Sequence, residues 1–223
     1  MKTFGRVLTA MITSFNEDGS VNIENTVAIA EHLLNHGSDG LVVCGTTGEN
    51  PTISRESKIA LFKAIAETCG DKGTIIANVG SNDTKGSVDF VKEVSTIPGI
   101  DGLLVVVPYY NKPNQQGQYL HFKSIAEATT LPIMVYNVPG RVGTGIFPAT
   151  LARLHKEYPH ICAIKEASGN LMIASEIKRL MPSEDFMVYS GDDGLTLPIL
   201  SVGGTGVISV VSHVAGQDMN DMI

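Results

Sequence analysis

GLLVVVP, residues Gly102–Pro108, is apolar at every position between its glycine and its proline. A strand with one wet face alternates apolar and polar residues, so this run reads as a strand buried on both faces, which is the mark of a covered parallel sheet. Runs of the same kind recur along the chain. They are RVLTAMIT from Arg6, GLVVCG from Gly40, TIIANVG from Thr74, PIMVYNVP from Pro132, ICAIKEAS from Ile161, FMVYSG from Phe186 and GVISVVS from Gly206. Successive starts lie roughly 25–35 residues apart, the length of a strand, loop and helix unit.

Helical periodicity fills the gaps. In Ser54–Cys69 the residues Ile59, Phe62, Ile65 and Ala66 share a face, Ser54 suits the cap and Glu56 the first turn. Asn22–Asn35 repeats the pattern and stops at His36-Gly37, where glycine suits a left-handed terminus. The stretches 83–96, 115–129, 147–157 and 171–181 look similar. Eight strand–helix units predict a closed (β/α)8 TIM barrel, with a doubly wound open sheet as the alternative. No GxGxxG follows the first run, which weakens the dinucleotide-binding form of that alternative. Without an internal linker, residues 1–223 read as a single barrel domain. The chain ends at Asp221-Met222-Ile223 without a capping signal, so the domain is expected to be cut short in or near its eighth helix, since such barrels commonly reach about 250 residues.

The 223 residues carry a net charge of −7 with scattered Lys and Arg, which argues against nucleic acid and anionic membranes as partners. No apolar run approaches the ~20 residues that span a bilayer. The start, MKTFGRVLTAMITSF, reads as a first strand and not as a targeting segment. Cys44, Cys69 and Cys162 lack metal-type spacing and cannot all pair, which suggests reduced thiols in a cytoplasm.

Barrel chemistry sits at the C-terminal ends of the strands. There the runs deliver GTTGE (Gly45 to Glu49), PYYN (Pro108 to Asn111), NVPGR (ending at Arg141), Lys165-Glu166, SGDD and Ser212. No histidine cluster suggests zinc, and Asp192, Asp193 and Glu166 are weak grounds for Mg²⁺. GTTGE lacks the GK[ST] ending of a nucleotide-phosphate loop. Lys165 stands out because it interrupts a buried strand. Period two groups it with Ile161 and Ala163, on the face expected to line the barrel interior. Burial disfavours the ammonium and leaves a nucleophilic amine able to form an imine with a ketone. The alternative is a structural ion pair, although the adjacent Glu166 faces the other way. Tyr136, grouped with Met134 and Val138, is either a core tyrosine or a proton carrier. Thr46 and Thr47 fit either a capped turn or a proton-passing hydroxyl. Arg141 reads as surface charge or as a fork for a substrate carboxylate. His121, His155, His160 and His213 suit helix surfaces or loops.

GTTGE, PYYN, YNVPGR, IKEASG and GVISV, in this order and spacing, resemble the dihydrodipicolinate synthase family of pyruvate-dependent class I aldolases, from about Gly5 to the last residue. The resemblance implies a Schiff base between Lys165 and pyruvate, whose enamine attacks aspartate-4-semialdehyde in lysine and diaminopimelate biosynthesis. It implies that Tyr136 shuttles protons, that Thr47 belongs to its relay, and that Tyr110 completes the relay in a neighbouring subunit. Thr46, Thr47 and Gly48 would hold the pyruvate carboxylate, Arg141 would receive the semialdehyde carboxylate, and Gly191 and Ile208 would line the pocket. No metal or organic cofactor is implied. A dimer completes the site, and tetramers are usual. Full-length relatives continue through a further helical domain. The histidine and glutamate of lysine-inhibited relatives are missing. NPTISRESK follows GTTGE, and Gly86 stands four residues after Asn82, so weak or no inhibition by lysine is expected although Tyr109 is kept. A sialic acid lyase or keto-deoxy-sugar aldolase would share Lys165 and Tyr136, but Arg141 in NVPGR favours the synthase. A non-catalytic barrel that binds a metabolite or serves assembly is the reading from another class.

Overall fold

The computed structural model describes residues 4–223 and shows a closed barrel of eight parallel strands in sequential order. The strands are β1 (Val7–Ala10), β2 (Gly40–Val43), β3 (Thr74–Asn78), β4 (Gly102–Val106), β5 (Ile133–Asn137), β6 (Ile161–Glu166), β7 (Met187–Ser190) and β8 (Gly206–Ser209). Every strand residue except Val106 is buried, as runs without alternation require. Each strand coincides with one of the eight apolar runs. Residues 1–3 of the proposed first strand lie outside the described residues.

The helices are α1 (Ile23–Asn35), α2 (Arg55–Cys69), α3 (Thr84–Val94), α4 (Gln115–Ala126), α5 (Pro139–Val142), α6 (Pro148–Glu157), α7 (Leu171–Leu180), α8 (Thr196–Ser201) and α9 (Ser212–Met222). Ser54 caps α2 by accepting from the Ser57 N–H, and Asn22 caps α1 by accepting from that of Asn25. Gly37 takes φ +102 after α1, and a Cβ there would lie 2.4 Å from the Gly216 backbone, so close approach as well as conformation excludes a side chain. Two helices had no periodic signal. α5 has four residues beginning with Pro139, and α8 has six, too few turns to show a face. Within α9 the backbone kinks at Ala215. His121 is buried on α4, contrary to the surface position expected of it, and donates to or accepts from Thr84 across to α3.

At the end of the barrel opposite the strand C-termini, Asp39 fastens β1 to the chain entering β2. Its Oδ2 accepts from the backbone N–H groups of Arg6 (2.6 Å) and Val7 (2.9 Å). Asn220 of α9 reaches the same point, donating to the Gly37 carbonyl at 3.0 Å. Thr9 joins Ser38 and Ser212 through buried hydroxyl contacts of 2.6 and 2.8 Å. Replacing Asp39 with Ala orphans two strand donors. The expected cost is about 2 kcal/mol, read as a Tm lower by roughly 4–8 °C. An unchanged Tm would show that this clamp does not close the barrel.

Candidate active site

The strand C-termini surround a cavity of about 770 Å³ whose walls include Thr46, Asn78, Tyr109, Tyr110, Tyr136 and Arg141. Lys165 lies on β6 behind the lining residue Tyr136, only 6% exposed. Register places it level with Tyr136 on β5 and Tyr189 on β7. The Lys165 Nζ sits 4.6 Å from the centroid of the Tyr136 ring, a cation–π distance. Among the described residues, no carboxylate forms a salt bridge with Lys165. The structural ion pair considered from sequence is therefore absent there.

Glu166 shows why. Its Oε2 accepts from Asn137 Nδ2 (2.7 Å) and its Oε1 from the Ser168 N–H (2.7 Å). The carboxylate thus points away from Lys165 and ties β6 to β5. Asn137 Oδ1 in turn accepts from the Ile146 N–H at 3.2 Å, which anchors the far end of the loop carrying Arg141. Asn78 does similar work at the end of β3, donating to the Cys44 carbonyl at 2.8 Å. Sequence reading passed over Asn78 and Asn137. Their signal was a polar residue closing an otherwise apolar run, TIIAN and IMVYN.

Burial disfavours the Lys165 ammonium most, and the Arg141 charge adds to this, while Asp193 opposes it. The result is a pKa lowered from 10.5 to about 8. Burial also raises the Tyr136 phenol above its ordinary value, tempered by a hydrogen bond with the Thr46 side chain and by Arg141. The hydroxyl brought to Tyr136 thus belongs to Thr46. Thr47 is half-buried. Gly48 is buried, and its carbonyl accepts from Thr13 at 2.8 Å, fixing the GTTGE turn beside β1. Arg141 is exposed on α5 at the cavity wall, without a salt-bridge partner among the described residues.

Tyr110 is 87% exposed at the rim and holds a left-handed backbone, φ +67. That conformation is costly for an aromatic residue and common at functional loops. Ile208 is buried on β8. Gly191 leaves space for the nucleophile, because a Cβ there would come within 3.1 Å of Lys165 Cε and 2.6 Å of Ala167 Cβ. Among the described residues, no three His, Cys, Asp or Glu side chains gather as a metal site would need, and Asp192, Asp193 and Glu166 do not converge. Cys44, Cys69 and Cys162 are free and buried. No described helix is long and apolar enough to cross a membrane.

The profile of the dihydrodipicolinate synthetase family matches residues 3–223. The 4-hydroxy-tetrahydrodipicolinate synthase of Desulforamulus reducens is 52% identical over 220 residues, covering 99% of this chain and 74% of that relative. A dihydrodipicolinate synthase structure from Bacillus anthracis superposes with a TM-score of 0.96 at 44% identity, covering 100% of this chain and 75% of the other. A chloride-inhibited dihydrodipicolinate synthase of Acinetobacter baumannii, solved with pyruvate, gives 0.93 at 35% identity, covering 98% and 74%.

Substituting Gly191 with Ala tests the crowding around the amine. Overpacking should cost about 1–3 kcal/mol and displace the Lys165 stem, so that amine-selective acylation of Lys165 slows about tenfold or more. Wild-type stability together with wild-type acylation would contradict the packing described.

Proposed function

The chain belongs to the dihydrodipicolinate synthetase family, and on that premise we propose that it condenses pyruvate with L-aspartate-4-semialdehyde to give 4-hydroxy-tetrahydrodipicolinate through an imine on Lys165. The observation that carries this reading is a buried, unpaired lysine whose pKa falls to about 8 under a tyrosine ring. The pyruvate-bound Acinetobacter relative supports the first substrate.

The Lys165 lone pair attacks the pyruvate keto carbon, and Tyr136, hydrogen-bonded to Thr46, supplies the proton that lets the carbonyl oxygen leave as water. Loss of a methyl proton from the iminium gives an enamine, which adds to the aldehyde. The amino group of the condensed partner then displaces Lys165 and closes the ring. The lysine serves as the electron sink, so the proposed reaction requires neither metal nor organic cofactor. We assign the relay hydroxyl to Thr46 and keep Thr47 and Gly48 for the pyruvate carboxylate. Arg141, exposed at the wall, suits the semialdehyde carboxylate. Gly191 and Ile208 shape the pocket. The exposure of Tyr110 at the rim supports its use in the site of a second copy of the chain, so the working enzyme is proposed to be a homodimer or a tetramer of such dimers. Three free thiols favour the cytoplasm.

Beside the site, a cleft of about 300 Å³ is lined by Arg55, Lys58, Gly86 and Tyr109. Lys58 there opposes an incoming ammonium group, while Arg55 is held by Glu93 at 2.6 Å, and little inhibition by lysine is expected. Half-maximal inhibition below about 1 mM, an affinity near −4 kcal/mol, would contradict it.

Purified protein should condense pyruvate with the semialdehyde and should not cleave sialic acid. Borohydride with pyruvate should add mass to the peptide holding Lys165. Lys165→Ala should lose both behaviours, and Tyr136→Phe should slow condensation about 100-fold or more. Sialic acid cleavage without condensation would move the chain to a sister activity, and a folded protein that forms no adduct would make it a binding barrel.

A further inference from the structure

One carboxylate beside the amine has no task in this chemistry: Asp193 lies two residues beyond Gly191, where a Cβ would sit 3.1 Å from Lys165 Cε. Asp193 follows β7 by three residues and opens a 3-10 turn, Asp193–Leu195. Its Oδ2 accepts from two successive backbone N–H groups, Val210 and Val211, each at 3.1 Å, where the chain leaves β8. Its Oδ1 is buried and accepts from no donor among the described residues. A buried carboxylate oxygen without a donor is costly, and such exceptions call for an explanation.

The charged and titratable groups around Lys165 are few. β5 contributes Tyr136, the loop after it Arg141, β6 Glu166, and β7 Tyr189. Glu166 is spent on Asn137 and Ser168, and Tyr189 donates to the Gly5 carbonyl at 2.8 Å. Asp192 is exposed, with its Oδ1 engaged by the Gly194 N–H. Asp193 is thus the acid left to offset Arg141.

We propose that Asp193 is a positioning residue for the imine chemistry, a fixed counter-charge at the end of β7 that stabilises the iminium on Lys165 once it forms. The need for it follows from charge balance. The neutral amine and the keto group take up one proton and release one water, so a permanent cation replaces a neutral group in a desolvated site. A carboxylate already pinned by two N–H donors meets that cation without reorganisation. Glu166, the sequence neighbour, cannot do so from its place on Asn137. The field of Asp193 on the Lys165 ammonium, opposite in sign to that of Arg141, supports the assignment.

The inference rests on the imine reading of Lys165. It is tested by following acylation of Lys165 with an amine-selective reagent against pH, and borohydride trapping with pyruvate, in wild type and Asp193→Asn. Asparagine keeps an oxygen for the Val210 and Val211 N–H groups and removes only the charge. The acylation midpoint should move to lower pH by roughly one unit, the scale of one neighbouring charge, while the yield of trapped pyruvate falls. Asp193→Glu should hold the midpoint near wild type, and Asp192→Asn should leave it in place. If Asp193→Asn fails to fold, Asp193→Thr, whose hydroxyl can accept from the same two donors, carries the same comparison. A midpoint unmoved by loss of the charge overturns the inference, whereas a wild-type protein that traps no pyruvate overturns the reading beneath it.

Discussion

Desolvation of the Lys165 amine is the constraint on which the rest of the site depends. Moving an ammonium from water into a protein interior costs several kcal/mol, and among the described residues no salt bridge returns it. The amine responds by giving up its proton more readily. A fall from 10.5 to about 8 corresponds to roughly 3 kcal/mol of preference for the neutral form. At pH 7 that leaves about a tenth of the amine uncharged, roughly two hundred times more than an exposed lysine offers.

The barrel provides this setting by register. Parallel strands place Tyr136, Lys165 and Tyr189 at one level, and the covering helices keep water from the outer faces. What varies is at the strand ends. Cys44, Glu49, Tyr110 and Lys112 all take positive φ in the two loops that follow β2 and β4. Strained backbone concentrated beside the cavity, on a scaffold otherwise regular, is the pattern expected where shape serves recognition. The Glu166–Asn137–Ile146 chain extends the rigidity of the sheet into the Arg141 loop, so the guanidinium is presented from a fixed base.

The barrel was legible because its signal is local. Each strand is an unbroken apolar run, and each long helix has a face and often a cap, as with Ser54 and Asn22. Lys165 was legible for the same reason, as a charge breaking such a run. The rest depends on contacts that sequence order does not encode. Thr46 and Thr47 are neighbours of the same type, and only the turn after β2 determines which hydroxyl meets Tyr136. Asp193 and Glu166 look alike as acids near the lysine, yet one is held by Val210 and Val211 and the other by Asn137. His121 looked like a helix-surface residue, but its face of α4 packs toward α3. The helices α5 and α8 are too short to show periodicity.

The central claim concerns the charge on one nitrogen, and the most direct measurement observes it. Protein labelled with carbon-13 at lysine Cε, assigned by comparison with Lys165→Ala, can be titrated by NMR in the absence of pyruvate. The account predicts that the Lys165 resonance titrates near pH 8. Titration with the exposed lysines, near the ordinary value of about 10.4, would contradict it.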